Sequence, residues 1–214
     1  MITTRPAPTR ERILDAAVEL FGRRGYHGTT VGEIESAAGL TPRRGGLYKH
    51  FPSKKALLEA AMERRSRVVD ELESRATTAP LLDPPEEVWA LGRVAFREIG
   101  RDQEVLRIVM REGDNFPELR DRFYERIVLR GHEQTAIRLR LLAERAGVDG
   151  VDLEALAAVV LAPIISYRLL DTLFGRAPTG VDEERYLDTW VGSALSLLEA
   201  QGLLSEATTK EAGT

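Results

Sequence analysis

The chain has 214 residues, of which 43% are hydrophobic and 30% charged, with a formal net charge of −4. That balance supports a globular chain with a real core, one large domain or one large and one small, and argues against disorder. The absence of cysteine excludes a disulfide framework and any thiolate metal site, and no metal and no cofactor is expected.

The net charge hides an asymmetry. Residues 1–67 carry 13 Lys and Arg against 7 Asp and Glu, whereas the other 147 carry 17 against 27. A basic N-terminal third on an acidic remainder is the pattern of a nucleic-acid-reading head on a body that does not touch nucleic acid. The opening Met1-Ile2-Thr3-Thr4-Arg5-Pro6 has no apolar run, so no secretory signal is expected. The apolar stretch from Leu153 to Ile165 is too short and too punctuated to span a bilayer. A cytoplasmic protein with no membrane partner is expected.

The periodicity is helical nearly throughout, and no alternating strand pattern is present. A first helix is expected from Thr9 to Arg24, burying Ile13, Leu14, Ala17, Val18 and Phe21. A second opens at Thr30 with the capping box Thr30-x-x-Glu33, buries Val31, Ile34, Ala37 and Ala38, and stops at Gly39. Thr41 as cap and Pro42 at the tolerated first position predict a third helix, with Leu47 and Phe51 facing inward and Pro52 ending it. Ser53 then caps a long fourth helix to about Arg75, followed by a polar, proline-bearing loop from Ala76 to Pro85. The body is expected to hold helices near 86–100, 103–111, 117–146, 152–174 and 182–198, with a turn between Gly175 and Gly180 and a frayed tail after Leu204. The helix after Asp152 is apolar over so wide a face that it must be covered on most sides, and Pro163 within it predicts a kink.

The second and third helices, joined at Gly39, have the form of a helix-turn-helix, whose second helix can enter the DNA major groove. Arg43 and Arg44 can fork onto guanine or phosphate. Gly45 and Gly46 allow close approach but weaken a helix by roughly 1 kcal/mol each relative to Ala. Tyr48, Lys49 and His50 follow along the next turn. Thr29, Thr30, Thr41, Ser53, Lys54 and Lys55 can clamp the phosphate backbone with hydroxyls, free N–H groups and positive charge. The candidate DNA-binding set is therefore Thr29, Thr30, Thr41, Arg43, Arg44, Gly45, Tyr48, Lys49, His50, Lys54 and Lys55.

These residues resemble the TetR family of bacterial transcriptional regulators. The resemblance covers about residues 9–68, through Ile13-Leu14-Asp15-Ala16-Ala17, Leu20-Phe21, Gly25-Tyr26, Thr29-Thr30-Val31, Ala37-Ala38-Gly39, Leu47-Tyr48-Lys49-His50-Phe51 and Pro52-Ser53-Lys54-Lys55-Ala56-Leu57-Leu58. Phe116-Pro117-Glu118-Leu119 is similar to a segment common in the family's variable helical body. One departure stands out: Gly39 and Leu47 are eight positions apart, two more than in most members. A longer turn or an extra half-turn of helix is expected within 40–46.

The resemblance implies an all-α fold of about nine helices: a three-helix DNA-binding head at 9–68, linked by a long helix to a ligand-binding and dimerisation bundle at 76–204. It implies a repressor that binds a palindromic double-stranded DNA operator as a homodimer and is released by a small-molecule effector of unidentified class. The last two helices would form the dimer interface, and their apolar surface exceeds what one subunit easily hides. Candidate interface residues are Leu161, Ile165, Leu169, Trp190, Ala194 and Leu197, and candidate effector contacts are Trp89, Phe96, Met110, Phe116, Phe123, Tyr124 and Tyr167. No catalytic residue is expected, because the histidines His27, His50 and His132 lie far apart and no hydrolase, metalloprotease or phosphate-loop motif occurs. The alternative to a specific regulator is a non-enzymatic helical scaffold or a protein that binds DNA without sequence preference.

Overall fold

The computed structural model describes residues 7–176 and 180–204; the tail after Leu204 and the middle of the expected turn between Gly175 and Gly180 lie outside them. In chain order the helices are α1 (Thr9–Arg24), α2 (Val31–Ala37), α3 (Lys54–Thr78), α4 (Pro84–Arg101), α5 (Gln103–Glu112), α6 (Pro117–Phe123), α7 (Arg130–Ala146), α8 (Leu153–Phe174) and α9 (Glu183–Ala200). A 3-10 turn at Leu47–Lys49 and a π-helical segment at Tyr124–Leu129 complete the set, and no strand occurs among the described residues.

The sequence signals for helix ends act as expected. Thr30 accepts from the Glu33 amide while the Glu33 carboxylate accepts from the Thr30 amide, a complete capping box. Asp152 accepts from the Ala155 amide, Asp182 from that of Arg185, and Ser53 from that of Ala56. Gly147 closes α7 in the left-handed conformation, which glycine adopts without steric penalty. The helix expected over 117–146 is a continuous helical run, but its hydrogen bonding widens to the π pattern between α6 and α7.

The expected helix from Thr41 to Phe51 is not formed. Residues 41–46 are a turn-rich loop, and only Leu47–Lys49 coils, as one 3-10 turn. Arg43 has φ +62° and Gly45 φ +70°, each incompatible with a right-handed helix. The left-handed geometry costs a non-glycine residue about 1–2 kcal/mol, so something must hold Arg43 there. Two adjacent glycines and a proline with no N–H leave little helical propensity to oppose that holding group.

The contacts divide the chain into two compact units. The first contains the described residues up to Glu71 together with Asp102–Ile127. Its core combines Ile13, Leu14, Ala17 and Phe21 of α1 with Ile34, Leu47, Phe51, Leu57, Leu58 and Met62, and α5 packs on α1. Segment 102–127 thus folds with the N-terminal helices.

The second unit holds Leu72–Arg101 and the described residues from Val128 onward. Here α4, α7, α8 and α9 enclose Val88, Phe96, Leu139, Leu142, Val160, Ile164, Tyr167, Trp190, Val191 and Leu198. Helix α8 is long and apolar enough to cross a membrane by length and composition alone. It is instead packed against α4 and α7, and its buried Arg168 forms an ion pair with Glu183, which suits a helix in a bundle. α9 is fastened to it by the Tyr186 hydroxyl and the Trp190 indole N–H, which donate to the carbonyls of Pro163 and Val160.

Candidate nucleic-acid interface

In the first unit, charged side chains fix the backbone at two places where it is not helical. Glu35 lies on the buried face of α2, in the same helical row as Val31, Ile34 and Ala38, and is itself fully buried. Its Oε2 accepts the Arg43 amide at 2.7 Å and its Oε1 the Leu47 amide at 3.0 Å. One carboxylate thereby supplies the acceptors that a helix would have drawn from its own carbonyls, and it holds Arg43 in its strained conformation. Residues Thr41, Pro42, Arg43 and Arg44 are exposed on this loop, and Leu47 anchors its far end in the core.

A second fixed point is the corner between α1 and α2. The Thr29 hydroxyl is buried and donates to the carbonyls of Gly25 and Leu20 at 2.8 and 3.2 Å. Lys54, at the start of α3, donates to the carbonyls of Tyr26 and Thr29 at 2.6 and 2.9 Å, with its Nζ 4.1 Å from the Tyr26 ring centroid. Partial burial lowers the Lys54 pKa from its ordinary value of 10.5. From α5, the buried Glu112 accepts the Tyr26 amide at 2.8 Å. The Tyr26 ring meets Phe116 edge-on at 4.9 Å, and desolvation raises its phenol above 10.0.

The positions singled out in the sequence therefore fall into two groups. Thr30, Thr41, Arg43, Arg44, Tyr48, Lys49 and His50 are exposed together on the outside of the α2–loop–3-10 segment, with Gly45 half-buried between them. Thr29 and Lys54 point their polar atoms inward, onto backbone carbonyls. Lys55 is exposed but paired with Glu118 at 2.8 Å, which raises its pKa and lowers that of Glu118. Glu35 and Glu112 are outside the candidate set, and Tyr26 enters only through the Gly25-Tyr26 pair of the family resemblance. Of the two carboxylates only Glu35 carries a sequence signal, a lone charge in the apolar row of α2.

In the second unit Phe96 and Tyr167 do meet, with centroids 5.4 Å apart, and Tyr186 completes an aromatic trio at 4.4 Å from Tyr167. Trp89 is half-buried near Arg93. The remaining effector candidates belong to the first unit: Phe123 is buried, Phe116 packs on Tyr26, and Met110 and Tyr124 are exposed. Of the interface candidates, Leu161, Trp190 and Ala194 are buried in the second unit's own core, whereas Ile165, Leu169 and Leu197 are half-buried. The exposed apolar surface of α8 is instead carried by Ala158, Val159, Ala162, Leu173 and Phe174.

The sequence model described as bacterial regulatory proteins, tetR family, matches residues 13–61, and that of the AefR-like transcriptional repressor C-terminal domain matches residues 93–200. The chain belongs to the TetR family. The transcriptional regulator TtgR of Pseudomonas putida is 28% identical over 200 residues, covering 89% of this chain and 91% of that one. AcrR of Shigella flexneri is 43% identical over 65 residues, 30% of this chain and 29% of that one. Among solved structures, that of a protein from Mesorhizobium loti assigned to the TetR family is 25% identical with a TM-score of 0.66, covering 91% of this chain and 98% of that one. TetR-family proteins are regulators of transcription and not enzymes, and this chain is a DNA-binding transcriptional regulator.

Proposed function

We propose that this regulator is a cytoplasmic homodimeric repressor that binds a palindromic operator and is released by a small-molecule effector. The observation that carries the dimer is the outer face of α8, where Val159, Leu173 and Phe174 are 57, 48 and 66% exposed on a helix whose other face packs into the bundle. A patch of that kind on a single helix needs a covering partner, and a second copy of the same face satisfies it by two-fold symmetry. Across the axis, Ser193, Ser196 and Gly192 of α9 offer a small, exposed surface for close helix approach. Ile165, Leu169 and Leu197 border the interface, and Leu161, Trp190 and Ala194 support it from beneath.

In this reading residues 9–68 bind DNA, and residues 76–204 bind the effector and the partner subunit. Thr30, Thr41, Arg43, Arg44, Tyr48, Lys49 and His50 face the duplex, with Gly45 allowing close approach and Lys55 reaching phosphate. Thr29 and Lys54 shape that surface from within. Two heads would then meet successive major grooves about 34 Å apart. The match to a repressor body over 93–200 supports repression. The aromatic trio of Phe96, Tyr167 and Tyr186, with Trp89 on the same helix as Phe96, is the proposed effector-facing region of the second unit.

The test is footprinting of the purified protein on the DNA upstream of its own gene, combined with sedimentation of wild type and Val159→Glu. The wild type should sediment as a dimer and protect two symmetric half-sites. The variant should sediment as a monomer and lose at least ~100-fold in operator affinity, because the second half-site no longer binds at high effective concentration. A Val159→Glu protein that remains dimeric removes the α8 interface, and a wild type without a protected site removes the operator.

A further inference from the structure

We propose that this chain reads base edges with the carboxylate-held loop 41–46 that leads into the 3-10 turn at Leu47–Lys49, and that Glu35 is the positioning residue that sets its sequence discrimination. The inference rests on the DNA-binding reading and specifies how that site works. A helix presents its side chains at a spacing fixed by its own hydrogen bonds. Residues 41–46 have no such frame, since Pro42 lacks an N–H and both Arg43 and Gly45 sit at positive φ. A free loop of this length would lose its ordering entropy at the moment of binding and discriminate poorly. The structure removes that freedom with one fully buried side chain.

Both oxygens of Glu35 are engaged, one by the Arg43 amide and the other by the Leu47 amide, so the carboxylate spans the loop from its apex to its C-terminal anchor. Leu47 is completely buried and Gly46 is packed against Leu40, which fixes the returning strand of the loop. The aliphatic stem of Arg43 runs within van der Waals reach of the position a Gly32 side chain would take, so the loop lies directly on α2. A Cβ on Gly45 would meet nothing within 4 Å, and this glycine is therefore required for its conformation and not for lack of room.

The consequence is that Arg43 and Arg44 leave a rigid backbone at adjacent exposed positions. A guanidinium forks onto the O6 and N7 of guanine only when its base is held to within a fraction of an ångström and a few degrees. The two additional residues between Gly39 and Leu47 then have a purpose: they make room for the loop whose amides Glu35 captures. The recognised chemistry is the major-groove edge of guanine, with Tyr48, Lys49 and His50 gripping the flanking backbone.

The experiment selects binding sequences from a random double-stranded DNA library with full-length wild type, E35Q, E35A, R43A and R44A, each checked for wild-type helicity and melting. The wild type should enrich a guanine-containing motif. E35A and E35Q should lose preference for the motif over random duplex by roughly 5- to 150-fold, the ratio one bidentate pair supplies, with affinity for the motif falling much more than affinity for random duplex. R43A or R44A should relax one base position by a similar factor.

Glu35 variants that enrich the wild-type motif with wild-type preference overturn the inference and leave the DNA-binding reading standing. So do arginine variants that weaken motif and random DNA equally, as phosphate contacts would. A wild type that enriches nothing overturns the sequence-specific reading itself. Should both Glu35 variants fail to fold, amide exchange of the wild type decides: Arg43 and Leu47 must be protected above Arg44 and Gly45. Uniform exchange across 41–47, or helix-like protection of that segment on DNA, refutes the loop.

Discussion

The corner of the first unit and the bundle of the second both bury ionised side chains, but they use them differently. Around the DNA-facing corner, Glu35, Glu112 and Lys54 bond to backbone amides and carbonyls of irregular chain. In the bundle the backbone within α4, α7, α8 and α9 is satisfied by the helices themselves, and the buried charges pair with one another while also reaching backbone, Glu87 accepting the Leu82 amide at 3.0 Å and Arg168 donating to the Phe96 carbonyl at 3.1 Å. Arg138 of α7 forks onto both oxygens of Glu87 of α4 at 2.6 and 2.7 Å, and only its remaining donors reach the carbonyls of Ala79 and Pro80. The lesson is that a charge bonded only to irregular backbone specifies a shape, whereas a charge pair between helices also specifies which helices meet.

The sharpest way to break the comparison is to delete one partner of the bundle's pair. With Arg138 and Glu87 side chains only 7 and 3% exposed, Glu87→Ala leaves an arginine charge in the core. Urea denaturation should show a loss of about 3–5 kcal/mol, while the double replacement Glu87→Leu with Arg138→Met should recover part of it, the Leu82 amide still lacking its carboxylate acceptor. If the double variant is as unstable as the single, the pair does more than neutralise itself, and the two regions use charge alike.

The corner is tested by Lys54→Met, which keeps the length and packing of the side chain and removes its donors from the Tyr26 and Thr29 carbonyls. Stability should fall by about 1–3 kcal/mol, less than in the bundle because Lys54 is only partly buried and no charge is left behind. Operator affinity should fall while the slope of log affinity against log salt stays at the wild-type value. A slope reduced by about 0.9 would instead place Lys54 on a phosphate.

The same contrast explains what could be read from the sequence. Helix ends were legible because capping is local: Thr30 with Glu33, Asp152, Asp182, Ser53 and Gly147 act within three residues of themselves. The apolar row of α1 was legible because periodicity survives without tertiary knowledge, whereas in α2 Ala37 is exposed and the buried row runs through Glu35 instead. Within 41–46 the two extra residues form the longer turn and not the extra half-turn of helix, although Thr41 and Pro42 look like a helix start. The deciding bonds instead come from a carboxylate eight and twelve positions earlier. Thr29 and Lys54 were read as phosphate contacts for a related reason: their residue types suit an anion, but the nearest open acceptors are carbonyls of their own chain. Glu112 and the folding of 102–127 with the N-terminal helices depend on contacts spanning 86 residues and left no local trace.

The smallest expected effect belongs to a pair outside both buried sets. Lys55 and Glu118 are each about half exposed, and their bond should contribute little to stability. The hydrogen bond that Lys55 donates to Glu118 lowers the Glu118 pKa below its ordinary 4.5 and raises the Lys55 pKa above its ordinary 10.5. The Glu118 contribution is therefore complete above pH 4.5 and lost as the pH falls through its lowered folded value. The Lys55 contribution is complete below 10.5 and lost as the pH rises through its raised value. Glu118→Gln should flatten the acid limb of the stability profile slightly, a change checked by NMR titration of the wild-type carboxylate. Its effect on DNA binding should run the other way. Lys55 bound to Glu118 must break that bond to grip a phosphate, so freeing it should tighten binding a few-fold at low salt, with the gain vanishing as salt screens the pair. Unchanged affinity at low salt would mean that Lys55 faces α6 in the complex as it does in the free protein, leaving the loop and the 3-10 turn as the whole cationic surface of the head.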